Sequence, residues 1–153
     1  MTRSDDVTAP LYTVQILRLA ASIPHHARLA APMASVEKRS PICGSRITLD
    51  MIVDEDGRVA EVGLEVRACA LGQASAALLA QHVKGKSVAE LAAARQALAD
   101  WLAGTAPQPD WPGLDILAPA IPHSARHASI RLPFEAAAEA AARIERERQG
   151  TAE

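Results

Sequence analysis

Asp54-Glu55-Asp56-Gly57 lies between two stretches that alternate apolar and polar residues, and no other part of the chain restricts the fold so tightly. On the N-terminal side Ile47, Leu49, Met51 and Val53 alternate with Arg46, Thr48 and Asp50. On the C-terminal side Val62, Leu64 and Val66 alternate with Glu61, Gly63, Glu65 and Arg67. A period of two puts each apolar set on one face of a strand, and Asp-Gly is the chemistry of a tight hairpin turn. The expectation is an antiparallel pair with one buried face, which must be covered by another layer.

The flanking sequence supplies helices for that layer. Tyr12, Ile16, Leu19 and Ile23 have helical spacing from Leu11 onward, and Pro24 ends the run. Ala34 to Arg39, bounded by Pro32 and Pro41, reads as an edge strand. Ala70 to His82 reads as a second helix with Leu71, Leu78 and Leu79 inward, closed by Gly85. Ser87-Val88-Ala89-Glu90 is a capping box opening a third helix to about Ala103. Gly104 to Gly113, with three prolines, is a loop whose Trp111, with Trp101 before it, seals the core. A last helix includes Phe134 to Arg148 and ends in a solvated charged run. The fold class is α+β, a small three-stranded antiparallel sheet with helices packed on it. Residues 1–10 read as a disordered lead, 11–148 as one domain and 149–153 as a tail.

Composition narrows the functions. The 153 residues fit one domain. Only four are aromatic, so the core is built from Leu, Ile, Val and Ala. Formal net charge is −2 and basic residues are not clustered in sequence, which argues against nucleic acid. There is no run of about 20 apolar residues for a membrane span and no secretory pattern at the N-terminus. The expected location is the cytoplasm, where thiols stay reduced. Phosphate loops, nucleophile elbows and His-Glu-x-x-His helices are absent.

The chemistry then falls to the two cysteines. Cys43, in Pro41-Ile42-Cys43-Gly44-Ser45, precedes the first hairpin strand; Cys69 follows the second and opens a helix. The hairpin topology can return both to one sheet edge. At a helix N-terminus, unpaired N–H groups and the dipole favour an anionic thiolate, the form that binds soft metals and attacks sulfur. Gly44 lets backbone approach a bound ion. The plainer alternative is two cysteines filling space in the core. His127 is a third ligand candidate and His123 a reserve, while His25-His26 and His82 read as solvated.

Together these motifs resemble the iron–sulfur cluster assembly scaffolds of the IscU, NifU N-terminal and SufU type. The resemblance covers roughly residues 11–147. It rests on Cys43-Gly44-Ser45 before a strand, Asp56-Gly57 in the hairpin and Cys69 at the start of an Ala/Ser-rich helix. Lys84-Gly85-Lys86-Ser87 and His127 before the last helix add to it, with Pro24 where the family has Asn-Pro-Arg-Asn. It implies a SufE/IscU-like fold and a carrier, not an enzyme. Such a carrier takes sulfur from a cysteine desulfurase, binds iron or zinc, builds a [2Fe–2S] cluster and passes it to acceptor apoproteins. Cys43, Cys69 and His127 are the implied metal and cluster ligands.

The chain departs from that pattern where the family has Cys-Gly-Asp, here Cys43-Gly44-Ser45, and where it has His-Cys, here His127-Ala128. On this register Ala128 holds the place of the missing third cysteine. Ile121-Pro122-His123-Ser124-Ala125 replaces the family's chaperone-binding stretch. A cluster normally takes four protein ligands, so the remainder must come from a non-protein ligand or from a second copy in a homodimer. Two other functions compete: a degenerate interaction module that modulates a cysteine desulfurase without carrying a cluster, and a Cys43–Cys69 redox pair.

Overall fold

The computed structural model describes residues 12–41 and 44–152. Helix α1 (Val14–Ala21) is followed by strands β1 (Ala34–Arg39), β2 (Arg46–Val53) and β3 (Val59–Arg67). Helices α2 (Ala70–His82) and α3 (Val88–Leu102) come next, then two 3-10 segments, Leu114–Ala120 and Ser124–Arg126, and α4 (His127–Ala152). The strands form an antiparallel sheet in the order β1-β2-β3. Residues 1–10, read as a disordered lead, lie outside the described residues, and α4 runs through the stretch read as a tail.

Alternation decides the two faces. Register places Val36, Leu49 and Leu64 in one row and Ala34, Met51 and Val62 in the next, all buried. That face packs against α4, which also packs on α2 and α3 and so joins the layers. A core of this kind is held by burial of apolar area, about 25 cal/mol per Å². Ser87 and Glu90 form the expected capping box on α3. Trp111 is buried, donates its Nε1–H to the Leu78 carbonyl at 2.8 Å and stands edge-on to Phe134 at 5.1 Å. Among the described residues no helix is long and apolar enough to cross a membrane.

The other face departs from simple alternation. Asp50, an outward position by pattern, is fully buried. The chain from His25 to Leu29 crosses above it: Arg28 Nε donates to Asp50 Oδ2 at 2.7 Å, Ser35 Oγ to Oδ1 at 2.6 Å, and the Leu29 N–H to Oδ2 at 2.9 Å. The crossing needs Gly63 on β3, because a Cβ there would overlap the Ala27 carbonyl and stand 2.9 Å from the Leu29 nitrogen.

Helix α4 includes the expected Phe134 to Arg148 and begins at His127, the residue read as standing just before it. Pro133 falls in the second turn of α4, where its missing N–H leaves the carbonyl of Ser129 without its usual helical partner. That start sets which residue α4 delivers to the cysteine edge.

Candidate metal centre

The hairpin register sets the site. Arg46 pairs with Arg67, so the residues entering β2 and leaving β3 meet at one end of the sheet. The loop entering β2 is closed by its own backbone: the Ser40 N–H donates to the Ser45 carbonyl and the Gly44 N–H to the Ser40 carbonyl, both at 2.9 Å. Gly44 has φ +73°, a left-handed conformation that favours glycine. Cys43, inside this loop, lies outside the described residues.

Cys69 leaves β3 as the N-cap of α2, with extended dihedrals. It is half-buried, and its side chain makes no capping hydrogen bond to the helix. Its Sγ lies 3.6 Å from Ser129 Oγ, and Ser129 Oγ lies 2.9 Å from Ser45 Oγ. Both serines are buried. A hydroxyl pair therefore lines the inner side of a half-buried thiol. Gly72, one turn into α2, makes the approach possible: a Cβ there would overlap Ser129 Oγ and stand 2.7 Å from the Ala68 Cβ. Ser75 anchors the same crossing by donating to the Ile130 carbonyl at 2.6 Å.

On α4 the sequence register points to His127 and Ala128. The residue of α4 beside Cys69 is Ser129. At about 100° per residue, a side chain two positions earlier projects roughly 200° around the axis from Ser129. His127 is buried, with Nε2 3.1 Å from the Ala120 carbonyl and 2.9 Å from the Ile121 carbonyl. Two acceptors at one nitrogen require it to carry the proton, leaving Nδ1 as the ring's only lone pair in the neutral form. The ring ties α4 to the end of the 3-10 segment Leu114–Ala120. Among the described residues no group of three His, Cys, Asp or Glu side chains is placed to hold a metal ion.

Ser129 is the site residue that sequence reasoning missed. Its signal lay in helical spacing: Ala136 and Ala140, both buried, stand seven and eleven residues after Ser129, so continuing their stripe back through Pro133 reaches it.

The family model for the NifU-like N-terminal domain matches residues 12–118. The chain belongs to the NifU-like N-terminal domain family. A nitrogen-fixing NifU-like protein (N-terminal) from Brucella abortus is 35% identical, with a TM-score of 0.85, over 95% of this chain and 99% of that one. The fold is also shared with a putative iron–sulfur cluster assembly scaffold protein for the SUF system from Fervidobacterium islandicum AW-1. That protein is 19% identical, with a TM-score of 0.73, over 86% of this chain and 96% of that one. None of the curated proteins matches the sequence significantly. Against this NifU-like fold, the donors at the described edge are one thiol and two hydroxyls.

Proposed function

We propose that the chain is a scaffold in iron–sulfur cluster assembly: it holds iron, zinc or a [2Fe–2S] cluster as cargo at the Cys43 and Cys69 edge. Sulfur comes from a cysteine desulfurase and the product goes to acceptor apoproteins. One observation carries this reading: the half-buried Cys69, at the N-cap of α2 with its thiol unused for capping, lies beside the Ser129 that α4 brings to it, at the edge where the hairpin also returns the Cys43 loop. Membership of the NifU-like family supports it, as does the scaffold description of the structural neighbour from Fervidobacterium. Thiolate is the ligand that iron–sulfur clusters and zinc prefer. Two thiols per chain leave ligand positions to be filled from outside it. His127 retains Nδ1 as a donor, yet its ring is held by the Ala120 and Ile121 carbonyls.

The test is anaerobic reconstitution with ferrous iron and sulfide, read by visible absorption and by iron and sulfide content. Wild type takes up both, and Cys43→Ser and Cys69→Ser each lose most of the uptake. Equal loading of wild type and both variants would remove the site. No loading of wild type would leave the fold as a module without cargo.

A further inference from the structure

The outer face of the sheet ends, on the cysteine side, in a row of arginines. Register pairs Arg39 with Arg46 and Arg46 with Arg67, so each strand contributes one to the same row of the same face. Like charges directly opposite one another destabilise a sheet. Their compensation is thin. Glu37 lies 2.9 Å from Arg39 Nε and 3.9 Å from Arg46 Nη1, and among the described residues Arg67 has no carboxylate at ion-pair distance. The row lines a cavity of about 450 Å³ together with Ser40, Gly44 and Ser45. Ser45 belongs to both places, since its hydroxyl contacts Ser129, the neighbour of Cys69.

We propose that this cavity binds a small thiol bearing carboxylates, and that its sulfur fills one of the ligand positions left open beside Cys69. Arginine forks match carboxylates two bonds at a time, and the volume is that of a small-molecule site. A protein-sized acidic surface fits less well. The next row on this face is Glu37, Thr48 and Glu65, whose carboxylates repel such a surface; none of the three lines the cavity, and Glu37 bears on it only through its contacts with Arg39 and Arg46. On ligation the thiol loses its proton to solvent and forms a sulfur–metal bond, with no change of oxidation state. The anion-binding half stands on the arginine row alone; the ligation half rests on the scaffold reading.

The experiment uses reduced, metal-free full-length protein and three probes: glutathione, S-methylglutathione and cysteamine, a thiol without carboxylates. Titration followed by NMR or calorimetry should show the first two binding alike and cysteamine not at all. Affinity should fall with added salt. The double variant Arg46→Ala/Arg67→Ala should weaken both glutathiones at least tenfold, whereas Arg95→Ala on α3 should change nothing. Arg67→Ala alone, an exposed side chain on an edge strand, gives the same direction if the double variant does not fold. Absence of binding, or binding indifferent to these arginines, overturns the proposal. Zinc is then added. Glutathione should tighten at least tenfold and S-methylglutathione should not; equal behaviour overturns the ligation half. Zinc titration without any thiol reports separately on the scaffold reading, so failure of one is not mistaken for failure of the other.

Discussion

Ser129 is one atom away from a third sulfur. Its Oγ, 3.6 Å from Cys69 Sγ, marks where a thiol on α4 would meet the site. Ser129→Cys should therefore raise zinc affinity at least tenfold, because thiolate replaces a hydroxyl that binds zinc poorly. Its cost is the Ser45–Ser129 hydrogen bond, on the order of 1 kcal/mol of stability. Ala128→Cys, a quarter turn away, should gain nothing. A zinc competition titration of the two variants decides the register; a gain at Ala128 and none at Ser129 would reverse the assignment. His127 gives a complementary expectation. Loss of its bonds to the Ala120 and Ile121 carbonyls in His127→Ala should lower stability by roughly 1–3 kcal/mol. Zinc affinity of that variant should stay within about twofold if the ring serves α4 and not the metal, and a larger loss would return His127 to the ligand set.

Elements whose signals are local were legible in the chain. The hairpin, the Ala34–Arg39 strand and the capping box at Ser87 each follow from a few adjacent residues, and each forms. What escaped is fixed by distant chain. Asp50 alternates like a surface residue until a segment 22 positions earlier covers it. The arginine row exists only once strand register is known. The α2–α4 crossing carries the element-scale prediction. Gly72→Ala puts a methyl where Ser129 Oγ already lies, so α4 must shift away from Cys69. Overpacking of this kind costs roughly 1–3 kcal/mol, more than the helix propensity gained from alanine returns. Chemical denaturation should show the loss, and thiol-dependent zinc binding should weaken with it. A stabilised Gly72→Ala protein would mean the crossing gives way freely and does not position the site.

At the scale of the molecule, one buried carboxylate joins the two sides of the sheet's outer layer. Burial alone would raise the pKa of Asp50, but the Arg28 and Ser35 hydrogen bonds, the Leu29 N–H and the Arg28 charge together hold it below the ordinary carboxylate value. A folded pKa below the unfolded one means the unfolded chain binds the proton more readily. The contribution of Asp50 is therefore complete above the unfolded value of about 3.9 and is lost as pH falls through the lowered folded value. Because Asp50 holds the His25–Leu29 segment over β2 and β3, its protonation loosens the connection from α1 to the sheet as well as the carboxylate itself. Asp50→Asn keeps the shape and removes the charge. Melting temperatures of wild type and Asp50→Asn, measured from about pH 6 down to about pH 3, should differ most at the upper end and converge toward the lower. The convergence must come from wild type losing stability that the variant never had. A gap that stays constant over the whole range would mean the network acts through packing, and that charge on Asp50 plays no part in holding the N-terminal segment to the sheet.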